Sequence, residues 1–561
     1  MKKLLRLITF TCFSLLTVIA QGQNLAGKYH FAGITNNAGD SLFTVVPADT
    51  FVLRANGDFN YFLTAKNNLT AAGTWSFTNN VLALRYSIPA DTTRFYQVVQ
   101  SGAELKFVEN NITYAFAKER QVFGKFDKTG FSARHFGRGL LGMLALVAIA
   151  WLFSANRRKI NWGLVLKGLL LQFILAIGIL KIPVIEQAFD LIGRGFVAIL
   201  GFTREGSLFL FGSLIENTES FGYIFAFQVL PTVVFFSALT SLLYYYNILQ
   251  KVVYGFAWIM KRTLKLSGSE SLAAAGNIFL GQTESPLLIK PYIKDMTLSE
   301  LMCLMTGGMA TIAGGVLAAY IGYLGGTDPA GQLFFARHLL AASVMSAPAA
   351  VVAAKILVPE TDSYNDTMHI SRQTIGSNWL DAIANGTTDG LRLAVNVGAM
   401  LLVFTAMIYM INSILGDVIG AHTGLNAWVS SISNGQYNAF SLQFILGYGL
   451  APLTWLMGVN GADITTVGQL LGEKTILNEF YAYVSMGELM HEGAFMEQRS
   501  VIIATYILCG FANFASIGIQ IGGISALAPT RRSDLSKLGV RALIGGTLAS
   551  LFTAVIVGML I

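Results

Sequence analysis

Charged residues are scarce in this chain of 561 residues: Asp, Glu, Lys and Arg make up 12% of it, whereas 54% of the residues are hydrophobic. Long apolar runs begin near residue 139 and continue to the C-terminus. So little charge over this length excludes an ordinary soluble globular domain and predicts a polytopic membrane protein. The net charge of +7 does not indicate a nucleic-acid partner, because the Lys and Arg residues lie in short clusters between apolar runs.

Cysteine is also rare. The three cysteines, Cys12, Cys303 and Cys509, show neither paired spacing nor a His/Cys cluster of metal-ligand form. This pattern excludes a disulfide framework and a zinc site. We expect no cofactor.

The first 22 residues, MKKLLRLITFTCFSLLTVIAQG, combine a basic start, a short apolar core and small or polar residues. They predict a secretory signal peptide, cleaved near Ala20 to Gly22. The alternative is an uncleaved anchor helix, although the apolar core is short for a membrane span. Under either alternative, the residues that follow should lie outside the cytoplasm.

Residues 23–122 have a different pattern. Runs such as TFVLRANGDFNYFL and GTWSFTNNVLALRYSI alternate apolar with polar residues and are separated by turn signals such as NG and NN. They predict β-strands joined by hairpins. LAGKYHF and GTWSF are similar to segments of small lipocalin-like barrels, so we expect an extracytoplasmic all-β, lipocalin-like domain. A linker at 123–138 would join it to a membrane domain at 139–561.

The membrane domain should cross the bilayer about eight times. We predict crossings at residues 139–155, 161–182, 221–246, 300–324, 331–357, 391–415, 500–526 and 538–561. Entering from outside, the first crossing brings the cluster Asn156-Arg157-Arg158-Lys159 to the cytoplasm, and the opposite connections carry few basic residues, Lys474 among them. The positive-inside rule therefore predicts that both mature termini lie outside the cytoplasm. We expect a multi-pass protein of a bacterial inner membrane.

The two halves of the membrane domain share an internal repeat. The runs LQKVVYGFAWIM and LQFILGYGLAPLTWLMGV each lead, 35 and 37 residues on, to a glutamate: Glu284 in GNIFLGQTES and Glu479 in EKTILNEFYAY. Each glutamate is followed by a span with a small-residue centre, GGMATIAG at 307–314 and CGFANFAS at 509–516. The loop count places the segment around Glu284 on the cytoplasmic side of the membrane and the segment around Glu479 on the opposite side. We therefore interpret the halves as an inverted-topology repeat.

The segments around the two glutamates are too polar to be straight spans. Gln282 and Thr283 precede Glu284, and two prolines follow it closely. We interpret both segments as re-entrant helical hairpins, since broken backbone at bilayer depth marks a ligand site. A carboxylate at that depth costs about 2.5 to 3.5 kcal/mol on insertion scales, so Glu284 and Glu479 need a compensating role. The alternative is that each glutamate only caps the break.

In this order, the motifs resemble those of concentrative nucleoside transporters. The matching segments are GQTESPLLIKPY at 281–292, GGMATIAGGVLAAYI at 307–321, SVMSAPA at 343–349, NEFYAY at 478–483 and GFANFASIGIQIGG at 510–523. The resemblance runs from about residue 140 to the C-terminus. It implies a secondary transporter that imports nucleosides of the uridine, cytidine and adenosine class by cation symport. It also implies a homotrimer in the lipid membrane, each protomer combining a scaffold with a transport domain that moves like an elevator.

The resemblance also implies where the nucleobase binds. Gln282, Thr283 and Glu284 on the first hairpin would meet the base, and Val316 would line its pocket. Gln and Thr suit this role because they offer both donors and acceptors to a base edge.

The ribose would bind to the second half of the repeat. The resemblance assigns its hydroxyls to Glu479, Asn513 and Ser516, with Phe511 packing nearby. A carboxylate and an amide suit vicinal hydroxyls, and their burial would reject a ligand that lacks the matching hydroxyl.

The coupling ion implied by the resemblance is sodium. Its site maps onto the side chains of Asn277 and Thr311 and the carbonyls around Leu280, Thr311 and Ile312. The chain keeps GQTE, from which proton-coupled relatives tend to depart; the alternative is a proton carried by one of the two glutamates. Gly315 stands where many relatives have Ser, which bears on fine substrate preference.

Two other classes of protein compete with a transporter. A membrane-embedded hydrolase could use Glu284, Glu479 and His491 as acid and base groups, but no HExxH or GxSxG motif accompanies them. A channel is the second alternative, but two hairpins with different polar residues fit one asymmetric organic ligand better than a ring of ion ligands. We therefore predict a transporter that is not an enzyme.

Overall fold

The computed structural model describes two compact units of the chain, a β-rich N-terminal unit and a helical unit. The described residues are 27–36, 41–43, 45–46, 49–53, 58–64, 69–78, 81–88, 90–101, 104–109, 112–118, 132–216, 224–326, 328–364, 368, 376–433 and 436–561. The predicted signal peptide at 1–22 and the predicted linker up to residue 131 lie outside these residues.

The N-terminal unit is an antiparallel meander that closes on itself. Its described strands are β1 Gly27–Asn36, β2 Ser41–Phe43, β3 Thr50–Leu53, β4 Asp58–Leu63, β5 Leu69–Thr78, β6 Val81–Ile88, β7 Thr92–Ser101, β8 Glu104–Glu109 and β9 Ile112–Lys118. From β3 to β9 each strand pairs with the next, and β9 returns to pair with β1, from Tyr29 opposite Lys118 to Asn36 opposite Ile112. This confirms the predicted all-β domain, and the closed up-and-down order is that of lipocalin-like barrels.

Aromatic rings fill the centre of this unit. Phe51 is buried, with its ring centroid 5.1 Å from that of Phe116 and 5.5 Å from that of Phe107. Phe59 packs edge-on against Tyr86 at 5.0 Å. The inward-facing residues of neighbouring strands supply these rings because side chains alternate between the two faces of a strand.

Most of the described chain after the strands belongs to the helical unit, apart from residues 430–436 and 489–494, which are grouped with the N-terminal unit. Its helices are α1 Ala133–Leu152, α2 Trp162–Lys181, α3 Pro183–Phe211, α4 Ser213–Glu216, α5 Phe225–Gln228, α6 Leu230–Tyr245, α7 Ile248–Leu264, α8 Gly268–Gly276, α9 Ser285–Leu288, α10 Leu298–Ala310, α11 Gly314–Gly325, α12 Pro329–Leu357, α13 Trp379–Asn412, α14 Ala421–Thr423, α15 Leu425–Ile432, α16 Leu442–Leu456, α17 Ile464–Ile476, α18 Glu479–His491, α19 Gln498–Leu508, α20 Phe514–Leu527 and α21 Arg532–Leu560. A π-helical segment, Ser413–Gly420, joins α13 to α14.

Within the described residues, seven helical stretches are long and apolar enough to cross a membrane. They are Ala133–Leu152, Trp162–Lys181, Phe225–Tyr245, Leu298–Gly325, Pro329–Leu357, Trp379–Thr423 and Pro529–Leu560. The stretch predicted as a crossing at 500–526 is interrupted, because α19 ends at Leu508 and α20 begins at Phe514. At this break Gly510 adopts a left-handed backbone with φ of 98°, and the Asn513 side chain caps a new helix.

The core of the helical unit is formed by α10 with α11, α12 and α21. In their most apolar windows, 83%, 89% and 83% of the residues are buried, compared with 17% in the stretch that contains α13. Helices that are apolar all round and deeply buried pack at the centre of a membrane protein. The exposed apolar surface of α13 suits lipid contact.

An ion-pair cluster fixes α3 to this core. Arg337 of α12 binds Asp190 through Nε at 2.6 Å and Nη2 at 2.8 Å, and its Nη1 lies 2.6 Å from Glu186. Both carboxylates belong to α3. A guanidinium bonds both oxygens of Asp190 through two nitrogens while a third nitrogen reaches Glu186, a geometry that the single nitrogen of an ammonium cannot reproduce.

We therefore expect Arg337→Lys to lower the free energy of unfolding by about 1.5 to 3 kcal/mol. Thermal unfolding of the purified protein in detergent would measure the change as a lower Tm. Arg204→Lys is the matched control, because Arg204 is exposed and its ion pair with Glu205 is long, at 4.0 Å. Equal Tm values for the two variants would contradict the expectation.

Candidate functional site

The connection between α8 and α9 is a polar turn that brings the chain back on itself. α8 ends at Gly276, where an added Cβ would lie 2.8 Å from the Ser285 hydroxyl, and this hydroxyl donates to the Ala273 carbonyl at 3.1 Å. The Glu284 carboxylate accepts a hydrogen bond from the Gly281 amide at 3.1 Å. The segment is thus not one straight helix, and Glu284 caps its turn, as one alternative from the sequence allowed.

The break between α10 and α11 lies against this turn. The Gly314 amide at the start of α11 donates to the Phe279 carbonyl at 3.1 Å, and the Thr311 hydroxyl donates to the Gly307 carbonyl at 2.9 Å. Asn277 is fully buried next to Gly307, where an added Cβ would lie 2.6 Å from its Nδ2. Neither polar atom of its amide has a hydrogen-bond partner among the described residues.

Glu479 lies at the start of α18 and is linked to the break between α19 and α20. Its Oε2 accepts from Asn513 Nδ2 at 2.8 Å, and its Oε1 lies 3.4 Å from the Tyr320 hydroxyl. Asn513 in turn accepts from the Ser516 amide at 2.8 Å, and the Ser516 hydroxyl accepts from Gln282 Nε2 at 3.2 Å. One chain of polar contacts therefore joins the first hairpin to the second.

The two broken helices cross at their breaks. A Cβ on Gly510 would lie 2.5 Å from the Ala310 carbonyl oxygen, so only glycine permits this approach. A Cβ on Gly546 of α21 would lie 2.7 Å from Met309 and 3.2 Å from Ala512, so α21 packs across both breaks. The unpaired backbone of both helices is thus held at one place inside the protein.

A cleft separates the first hairpin from α6 and α13. It is lined by Glu284 and Val316 together with Ser237 and Thr240 of α6 and Asp389 of α13. The part of the cleft formed by α13 was not predicted, because polar residues interrupt the apolar pattern there. The lining of the cleft combines the carboxylates of Glu284 and Asp389 with apolar residues such as Leu287.

The predicted substrate residues fall into two groups in the structure. Gln282, Glu479, Asn513 and Ser516 are joined by hydrogen bonds, whereas Glu284 and Val316 face the cleft.

Two further predicted residues lie beside this group. Thr283 is exposed and points its methyl group at Gly523, where an added Cβ would be 2.9 Å away. Phe511 is buried, and its carbonyl accepts from the Asn513 amide at 2.9 Å.

The predicted ion ligands lie together at the first break. Leu280 belongs to the hairpin turn, and Ile312 follows Thr311 between α10 and α11. Both are buried, as is Asn277. The orphaned Asn277 amide and the Thr311 hydroxyl are oxygen donors of the kind that a small hard cation requires.

Sequence reasoning missed Tyr320 and Gln520. Tyr320 faces Glu479, and its ring packs 4.3 Å from that of Tyr483. Gln520 is fully buried, and its Nε2 donates to the Met305 carbonyl at 2.9 Å. Each lies four residues after a predicted site residue, Val316 or Ser516, so helical periodicity was the signal that could have found them.

Lys474 also differs from its sequence interpretation. From the sequence, Lys474 was expected to lie in a connection between membrane crossings. It is instead fully buried on α17, bonded to the second break.

Broken helices that meet around a polar site are the architecture of secondary transporters, and this is the class of protein that the fold and site define. Three family profiles match: Na+ dependent nucleoside transporter N-terminus at residues 141–214, Nucleoside recognition at 226–327 and Na+ dependent nucleoside transporter C-terminus at 338–558. The chain belongs to the Na+ dependent nucleoside transporter family. It is not an enzyme, as predicted, since family and structural neighbours are transporters.

Known relatives cover three quarters of the chain. Solute carrier family 28 member 3 of Eptatretus stoutii is 42% identical over 434 residues, which are 75% of this chain and 60% of that relative. An uncharacterized transporter of Haemophilus influenzae is 40% identical over 426 residues, 75% of this chain and 97% of that protein. The structure of CNTnw in an inward-facing substrate-bound state superimposes with a TM-score of 0.68 at 37% identity, covering 75% of this chain and 98% of that one.

Proposed function

We propose that this protein imports nucleosides across a bacterial inner membrane by symport with sodium. The observation that carries the proposal is the polar chain from Gln282 through Ser516 and Asn513 to Glu479, held at the crossing of two broken helices. A nucleoside has a hydroxyl-rich sugar and a flat base, so it needs two different polar ends in one site.

The ribose end is assigned to Glu479 and Asn513. Both side chains are buried, and their carboxylate and amide lie 2.8 Å apart. This spacing allows two neighbouring hydroxyls to bond one to each group. Ser516 adds a hydroxyl beside Asn513.

The base end is assigned to Gln282, Thr283 and Glu284, with Val316 against the ring. Gln282 Oε1 is buried without a hydrogen-bond partner among the described residues, so it is free to accept from an N–H group of a base. Glu284 keeps one oxygen for the Gly281 amide and turns towards the cleft. Uridine, cytidine and adenosine all present suitable base edges.

The ion is assigned to the orphaned amide of Asn277, the Thr311 hydroxyl and the carbonyls of Leu280, Thr311 and Ile312. A buried amide without partners is unfavourable in the empty protein, and sodium would satisfy it. Because Asn277 and Gln282 belong to the same hairpin turn, ion and substrate would stabilise the same local structure.

We further propose alternating access in an elevator-like movement, an inverted-topology repeat and a homotrimer. The exposed cluster Arg157–Lys159 between α1 and α2 supports a cytoplasmic loop there. We accordingly propose that the N-terminal unit and the C-terminus lie outside the cytoplasm. The cleft between the first hairpin and α6 with α13 supports a boundary along which a transport domain could move.

Uptake of radiolabelled uridine and adenosine into proteoliposomes tests the function. We expect accumulation that requires an inward sodium gradient and persists when the proton gradient is collapsed with an ionophore. Accumulation that ignores sodium but collapses with the proton gradient would contradict the ion assignment alone. Conversion of the nucleoside into a new compound, or no uptake at all, would contradict the transport function.

A further inference from the structure

Lys474 places a buried ammonium at the second helix break. Its Nζ donates to the carbonyls of Ile507 at 2.9 Å and Cys509 at 3.0 Å and to the hydroxyl of Ser550 at 3.1 Å. These three bonds use all three donors of an ammonium. The three acceptors are neutral oxygens, and the Glu479 carboxylate adds an electrostatic attraction without a direct hydrogen bond to the ammonium.

The position explains why the charge is tolerated. Ile507 and Cys509 lie at the C-terminal end of α19, where the last carbonyls lack helical partners and carry the partial negative charge of the helix. The Ser550 hydroxyl also donates to the Cys509 carbonyl at 2.6 Å. A cation is therefore part of the structure that closes this break.

The first break has the same kind of ligands without a lysine bonded to them. α10 ends at Ala310, and the side chains beside its last carbonyls are the Thr311 hydroxyl and the orphaned Asn277 amide. Carbonyls at a helix end together with one hydroxyl thus occur at both breaks. The two breaks touch where Gly510 meets Ala310.

We propose that the Lys474 ammonium is a tethered cation that permanently fills the second break, as the exchangeable cation fills the first. The inference rests on the proposed function. It follows that substrate binding requires one exchangeable cation only. Lys474 acts as a positioning residue, because it holds the break that presents Asn513 and Ser516.

Removing the ammonium should create a second exchangeable site. Binding of radiolabelled uridine to the purified protein is measured against sodium concentration, with choline keeping the ionic strength constant. The wild-type protein should give a Hill coefficient of about 1, whereas Lys474→Ala should give a value approaching about 2, since the coefficient is limited by the number of sites. Its midpoint should shift upwards by about tenfold or more, and propylammonium should partly replace sodium.

Two variants serve as controls. Lys474→Arg keeps the charge and should keep a Hill coefficient of about 1. Thr475→Val alters the next residue of α17, whose hydroxyl donates to the Leu471 carbonyl at 2.8 Å, and should leave the sodium response unchanged.

Several results would overturn the inference. One is a Lys474→Ala protein with the wild-type Hill coefficient and midpoint. Another is a folded Lys474→Ala protein whose uridine binding returns with neither sodium nor propylammonium. If this variant does not fold, the Hill coefficient of the wild-type protein is the test. A value near 2 would mean two exchangeable cations and would overturn the inference. A wild-type protein that binds no uridine at any sodium concentration would instead remove the proposed function.

Discussion

Glu479→Gln is expected to abolish sodium-driven uridine uptake, with a fall of about 100-fold or more, while the protein stays folded. Glu479 accepts from Asn513 Nδ2 at 2.8 Å and lies 3.4 Å from the Tyr320 hydroxyl. A glutamine amide offers one acceptor oxygen and one donor nitrogen, so it cannot accept on both sides as the carboxylate does. The charge proposed to bind the ribose hydroxyls is lost at the same time.

Uptake into proteoliposomes measures this effect, and thermal unfolding of the purified variant shows that it is folded. Glu473→Gln is the matched control, because Glu473 is also buried and precedes Glu479 by six residues. The Glu473 carboxylate accepts a hydrogen bond from Gln469 Nε2 at 3.0 Å. We expect this control to transport at near the wild-type rate. Near-normal transport by Glu479→Gln would remove Glu479 from the substrate site.

Asn277→Leu should have opposite effects on stability and on transport. Both polar atoms of the Asn277 amide are buried without partners, so a leucine of similar size should raise the free energy of unfolding in sodium-free buffer by about 1 to 3 kcal/mol. It would also remove the side-chain ligand proposed for sodium. Uridine uptake at a fixed sodium gradient should then fall by about 100-fold, and sodium should no longer raise the Tm.

Thermal unfolding with sodium chloride or choline chloride separates these effects. Asn426→Leu is the matched control, because this amide has partners: its Oδ1 accepts from the Phe440 amide at 2.9 Å, and its Nδ2 donates to the Gly416 carbonyl at 3.0 Å. The control should lose stability and keep the rise in Tm that sodium causes. A sodium-dependent rise in Tm that persists in Asn277→Leu would contradict the ion assignment.

The order of the motifs was enough to predict the family and the broken site. Polar residues within apolar runs, as around Glu284, identify interrupted helices because a bilayer tolerates such residues only at a ligand site. The strands and hairpins of the N-terminal unit followed from alternating residues and turn signals, and its barrel form from the similarity of LAGKYHF and GTWSF to lipocalin-like segments. Both predictions depend on local patterns that the fold preserves.

Two of the features that were missed depend on contacts between distant segments. The crossing predicted at 500–526 was interrupted because Gly510 meets Ala310, a contact that hydropathy does not contain. The buried position of Lys474 depends on carbonyls more than 30 residues away in the chain. Trp379, where α13 begins, was missed because polar residues in its first turns hide the start of the helix.

The crossing of the broken helices at Gly510 and Ala310 also has a mechanical consequence. The two backbones are in direct contact at this point, where no room is left for a single methyl group, so we expect the two breaks to move as one unit in the proposed transport movement. Thr311 on one side of this contact and Asn513 on the other would then move together. Nucleoside and cation would be carried by one rigid body. The number of cations transported per nucleoside would then be set by the number of binding sites on that body, and not by the timing of separate movements.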